Sequence, residues 1–213
     1  MINWDLLIDE SALAGLLPPE YAHFARPVKQ ALSLFFSGLS KNRQQEIFAA
    51  QAMLPPGTSL PERLGRLAQC CPVLHKLGQV LAREQRLAAE LRSELQLLES
   101  LPAVTPQPEI ERSLDVELGP LNKLGIELMP PALAEASVAT VVPCQSEFGD
   151  GVFKLLKPGI EARMTEELDL LDVVGKHLDA SCQELDIPKL DYKYAFQQVR
   201  EKLKEEVRHD HEQ

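Results

Sequence analysis

Apolar positions recur at three- and four-residue steps through the first hundred residues, and only a helix places such steps on one face. Val28, Ala31, Leu32, Phe35 and Phe36 form one such stripe before Gly38 and Ser40 interrupt it. A second helix is predicted from about Asn42 to Met53, where Leu54-Pro55-Pro56-Gly57 stops it. Proline lacks the amide donor and restrains the residue before it. Ser59, with Glu62 three residues on and Pro61 between, has the form of a capping box opening another helix. The longest seam is Leu74, Leu77, Leu81, Ala88, Leu91, Leu95 and Leu98, broken by a polar gap at Glu84 and Gln85 that predicts a bend between two helices. No period of 20 to 50 residues repeats, which argues against a solenoid.

The pattern changes after the linker Pro102 to Pro108, in which Thr105 is the predicted cap of a short helix ending near Gly119. Between about Ile126 and Leu156 the chain is rich in Val, Ala, Ser and Thr and punctuated by Pro130, Pro131 and Pro143. Gly149-Asp150-Gly151 between two short apolar runs predicts a hairpin turn, and the whole stretch three short antiparallel strands. Helix returns after Pro158, with Ile160, Met164, Leu168, Leu171 and Val174 on one face. A last, charged helix starts near Asp191 with Phe196, Val199, Leu203 and Val207 on its apolar side. The expected fold is α+β and mostly helical, divided into a helical region 1–101 and a second unit 102–213.

Charge and cysteine content narrow the classes. Lys and Arg number 22 against 32 Asp and Glu, a formal net charge of −10, which argues against a general nucleic-acid binder because that needs a basic face to displace counterions. MINWDLLIDE is acidic and lacks the basic-then-apolar order of a signal peptide. No stretch reaches the roughly 18 uninterrupted apolar residues that span a bilayer. Cys70, Cys71, Cys144 and Cys182 show no zinc spacing, and scattered thiols fit a reducing cytoplasm.

Three segments carry candidate chemistry. Lys76 and Gln79 in His75-Lys76-Leu77-Gly78-Gln79 are three apart and project from nearly the same side of a helix. Leu133 to Val141 is a small-residue turn leading into a strand, and small side chains let backbone amides approach a phosphate. Lys154 stands in the middle of an apolar strand just before a helix, and a lysine buried there needs an anionic partner.

In this order the segments resemble the UbiB/AarF family of atypical kinase-like proteins linked to ubiquinone (coenzyme Q) synthesis. KLGQ at Lys76 to Gln79 is similar to the family's KxGQ motif. LAEASVATVV at Leu133 to Val142 resembles the alanine-rich loop that stands for the kinase glycine-rich loop. FKLLKPGIE at Phe153 to Glu161 resembles its strand lysine and the turn that follows. The resemblance covers roughly Leu60 to the C-terminus.

It implies a KxGQ extension packed on a kinase-like N-lobe, a small antiparallel sheet with a C-helix, that forms part of an ATP or ADP pocket. Ala134, Glu135, Ala136, Ser137, Val138 and Ala139 would face the phosphates and Lys154 would contact the nucleotide. Lys76 and Gln79, in a motif that also holds Gly78, would reach over the pocket, where the family restricts access of protein substrates. Glu206, with Glu212 six residues on, matches the spacing of the family's later Glu-x-Asp motif and would pair with Lys154. The chain departs from the family at Arg208, in place of that motif's Asp, and at Glu135, which sets a negative charge against ATP phosphates. It departs again at Ala82-Arg83-Glu84, which replaces the usual Thr-Arg-Pro-Asp. His209-Asp210-His211 reads as a solvated terminus, since alternate helical residues face different ways.

The family's catalytic loop and DFG-type aspartate would lie past Gln213, with the rest of the C-lobe. No catalytic residue or metal ligand is therefore assigned, magnesium being the parent family's cofactor. Phosphoryl transfer needs those groups, so the expectation is a truncated, catalytically incomplete domain. Its parent activity would be that of an ATPase or small-molecule kinase supporting quinone metabolism. The alternative is a pseudokinase-like interaction or oligomerisation module using the apolar seam from Leu74 to Leu98. A weaker third reading is a peripheral protein at the inner membrane face that touches quinone lipids through Leu16-Leu17 and Leu34-Phe35-Phe36.

Overall fold

The computed structural model describes residues 2–99 and 101–207, with side chains through Lys204. Within them the chain is α+β and mostly helical, with one small antiparallel sheet. Two short helices, α1 (Trp4–Leu7) and α2 (Glu10–Ala14), precede α3 (Ala25–Gly38), α4 (Lys41–Ala52), α5 (Leu60–Cys70), α6 (Pro72–Leu81) and α7 (Ala89–Gln96). After α8 (Gln107–Leu118) come β1 (Glu127–Leu128), β2 (Ala134–Glu135), β3 (Ala139–Ser146) and β4 (Gly149–Leu156), then α9 (Ile160–Ser181) and α10 (Tyr192–Val207).

Local chemistry accounts for several of these boundaries. The Ser59 hydroxyl accepts from the Glu62 amide while the Glu62 carboxylate accepts from the Ser59 amide, so the expected capping box opens α5. The bend expected near Glu84 and Gln85 is the break between α6 and α7. Thr105, expected to cap α8, does not. Pro106 holds the N-cap position, and the Thr105 hydroxyl donates instead to Glu135, 2.9 Å away.

Strand β3 is the centre of the sheet. β4 pairs along its whole length on one side, from Ala139↔Leu156 to Ser146↔Gly149, and β1 and β2 share the other side. The third expected strand is thus two short pieces. Pro130 and Pro131 lie between them, and proline cannot donate to a ladder. The hairpin turn lies at Glu147-Phe148, two residues earlier than expected, and Gly149-Asp150-Gly151 belong to β4. Its first glycine has φ +110°, which a side chain would resist.

The largest core cluster runs from Trp4 to Leu203 and joins α1 and α3 to α6, α9 and α10. Ile110 and Leu114 of α8 pack on Val142 and Leu155 of the sheet. Leu91, Leu95 and Leu98 are buried against α5 and α6. Of the rest of the seam that was a candidate docking surface, Leu74, Leu77 and Ala88 are half-buried and Leu81 is exposed near its middle. Phe35 and Phe36 are also core residues, so Leu34-Phe35-Phe36 does not form a membrane-facing patch. No described helix is long and apolar enough to cross a membrane, and the four cysteines are free thiols.

Candidate functional site

Residues far apart in the chain line a cleft of about 340 Å³: Lys76 and Gln79 of α6, the turn Ala136 to Val138, Ala139 at the start of β3, and Lys154 of β4. Strand pairing explains part of this convergence. Lys154 lies opposite Val141, two residues after Ala139, so β4 carries the lysine back to the turn. Inside the turn the Ala136 amide donates to the Ala139 carbonyl (2.8 Å), and the Lys157 amide donates to the Val138 carbonyl (2.9 Å). The amides of Ser137 and Val138 donate to no acceptor among the described residues. Lys154, expected to be buried in mid-strand, is exposed on the cleft side of β4, because the alternation of the strand sends Leu155 inward instead.

Helix α6 is held against its neighbour by polar and steric fit together. His75 Nε2 lies 2.8 Å from the Leu98 carbonyl oxygen, and an accepting carbonyl requires that this nitrogen carry the proton. Gln79 Nε2 donates to the same oxygen at 3.0 Å. Burial lowers the His75 pKa, and the nearby Lys157 and Lys76 add to that. Gly78 lies on the same face of the helix, against Leu95 and Leu98. A Cβ there would stand 2.6 Å from Leu98 Cδ1, so close helix packing accounts for the glycine of KLGQ.

Two of the expected site residues take other roles. Ala134 pairs with Val141 in the β2–β3 ladder and is not part of the cleft wall. Glu135 is buried with its carboxylate turned to the linker. It accepts from Lys157 Nζ (2.8 Å), the amides of Val104 and Thr105 (2.8 and 2.9 Å) and the Thr105 hydroxyl (2.9 Å). Burial raises its pKa, but the hydrogen bonds from Lys157 and the two amides outweigh burial and hold the carboxyl below its ordinary range. The charge expected to oppose phosphates is thus compensated in place and points out of the cleft. Glu206 falls in the last turn of α10, where side chains lie outside the described residues, as do Arg208, the 209–211 triplet and Glu212.

One buried polar cluster was not anticipated. Arg43 of α4 donates to Glu167 of α9 at 2.8 Å and to the Cys70 carbonyl at 2.9 Å. The other oxygen of Glu167 accepts from the Val73 amide in the first turn of α6, at 2.9 Å. One carboxylate thus ties the motif-bearing helix to α4 and α9. Its signal was in the sequence: Glu167 lies three residues after Met164 and four before Leu171, a charge in the phase of an apolar face. No protein-family model matches the chain, and no curated protein matches it in sequence.

Proposed function

We propose that the cleft between α6, the 136–139 turn and β4 receives the phosphates of ATP or ADP, in a UbiB/AarF-like, kinase-type N-lobe. The observation that carries this reading is the meeting of the three motif segments, KLGQ, the small-residue turn and the strand lysine, around one cleft. The ammonium groups of Lys76 and Lys154, the Gln79 carboxamide and the backbone amides of Ser137 and Val138 are suitable partners for phosphate oxygens. Compensation of Glu135 by Lys157 removes the main electrostatic objection. The volume lies at the small end of ligand pockets, roughly 300–1,000 Å³, which suits the phosphate portion of a nucleotide. Magnesium would arrive with that nucleotide. No group of three His, Cys, Asp or Glu that could hold a metal stands together among the described residues. The parent activity, ATP hydrolysis or phosphorylation of a small molecule in quinone metabolism, belongs to this proposal.

The test is thermal. Ligand at a hundred times its Kd adds about 2.7 kcal/mol of stability. A clear upward shift of the melting temperature is expected with millimolar ATP or ADP and is lost in Lys154→Met. No shift at that concentration, or an equal shift in the variant, rejects the reading.

A second reading, an interaction module that kept the fold, is favoured by the outer edge of β4. That edge has no strand partner among the described residues, and Val152 and Phe148 are exposed beside it. Exposed edges accept further strands. Light scattering distinguishes the two: a concentration-independent monomer speaks against self-association.

A further inference from the structure

A second, larger cavity of about 420 Å³ lies on the other side of α6, enclosed by α2, α3, α5, α6, α7 and the Phe196 ring of α10. Every residue lining it is apolar, among them Leu17, Leu32, Leu77, Leu91 and Leu95. We propose that this cavity binds a single aliphatic chain, that of a monoacyl lipid or long-chain alcohol, with the head group left at the mouth.

The lining chemistry excludes the alternatives in turn. Buried water needs two to four polar partners, which these walls do not supply, whereas an apolar cavity of only ~150 Å³ stays dry and takes up an apolar guest. A polar ligand would have to abandon its hydrogen bonds in the interior, at a cost nothing here offsets. A partner helix does not fit either, since a cylinder about 10 Å across rising about 1.5 Å per residue fills this volume in roughly one turn. A flexible, unbranched chain is the guest that matches both the volume and the lack of polar anchors. Val28 and Leu81 are lining residues that also reach the surface, and they mark the mouth. The acidic balance of the chain does not bear on this site, because no charged group lines it.

The proposal is independent of the nucleotide reading, and its test uses no nucleotide. The intact chain is titrated with decanoate, decanol and butanoate, each below its aggregation concentration, by calorimetry. Saturable binding at one molecule per chain is expected for decanoate and for decanol, with dissociation constants within about threefold of each other. Butanoate is expected not to bind. Leu77→Trp and, at a second lining position, Leu17→Trp fill the space and are expected to weaken decanoate at least tenfold while keeping the helical circular dichroism of the parent. Two tryptophan positions are used so that one folded variant suffices. Absence of saturable binding, preference for the carboxylate over the alcohol by more than tenfold, or unchanged affinity in a folded tryptophan variant overturns the proposal. So does binding that appears only with dimerisation, which would make a second copy the occupant.

Discussion

Replacing Glu167 with alanine is expected to destabilise the protein by about 3–5 kcal/mol, the range measured when one partner of a buried ion pair is removed. The geometry puts the change at the upper end of what single substitutions do. Glu167 has no exposed surface, accepts from Arg43 at 2.8 Å and from the Val73 amide at 2.9 Å, and lies on the helix that packs on α3, α6 and α10. Alanine leaves a guanidinium and an amide without their acceptor in the interior, and an unmade hydrogen bond there costs more than a made one contributes. Against a total of roughly 5–15 kcal/mol, the loss lowers the melting temperature by roughly 10 °C. Arg26→Ala is the contrast. Its bond to Glu184 has nearly the same length, 2.9 Å, but both side chains are exposed, and a change within about 1 kcal/mol is expected. If Glu167→Ala costs no more than Arg26→Ala, the buried cluster is not the anchor described.

The pH dependence of the Glu167 effect has a definite sign. Burial raises the carboxyl pKa to about 7, against the pull of the Val73 amide and of Arg43. Between its ordinary 4.5 and that value, the folded protein holds a proton that the unfolded chain has released. The contribution is fully present below about pH 4.5 and is lost as pH rises through 7. His75 acts in the opposite sense: its lowered pKa gives a contribution that is fully present above about pH 6.5 and is lost as pH falls below it. The difference between parent and Glu167→Ala isolates the carboxyl group, and the gap between their denaturation free energies is expected to be wider at pH 5 than at pH 8. A gap that widens toward alkaline pH contradicts this assignment.

Gly175→Val is expected to cost about 3 kcal/mol, the top of the usual overpacking range. Gly175 is buried where α9 meets the start of α10. A Cβ on it would stand 2.8 Å from the Lys193 Cα and 3.1 Å from the Lys193 nitrogen. Backbone cannot swing aside as a side-chain tip can, so α10 has to shift as a body. Its other moorings are near: the Asp179 carboxylate accepts from the Tyr192 and Lys193 amides, and Arg200 bridges Asp169 and Asp172. Hydrogen exchange reads the effect directly. Amides of α10 are expected to lose protection in the variant while those of α3 and α4 keep it. Because α10 also carries Glu206, the same variant is expected to weaken nucleotide if the proposed pairing with Lys154 operates. Undiminished protection across α10 would show that the close approach is not needed.

Much of the architecture was legible from periodicity. The stripe Val28 to Phe36, the stop at Leu54-Pro55-Pro56-Gly57, the Ser59–Glu62 box and the break near Glu84 all rest on forces between residues a few positions apart, so the linear order displays them. The hairpin was legible too, but its turn lies two residues before the expected glycines. Glycine marks a flexible position without saying whether it stands in the turn or beside it.

What the linear order did not display are the pairings between distant segments. Lys157 reaching Glu135, Arg43 reaching Glu167 across 124 positions, and the Thr105 hydroxyl leaving its own helix for Glu135 each depend on where separate elements come to rest. The leucines at 74, 77, 91 and 95 carried the message that a face turns from water, and Leu91 and Leu95 are buried while Leu74 and Leu77 are half-buried. Whether that face closes on another helix, opens on a partner or encloses a void is decided by the fit of at least five helices at once. Hydrophobicity is non-directional and sets only that a surface leaves water, whereas contact partners are selected by shape and by the need to satisfy each buried charge in three dimensions.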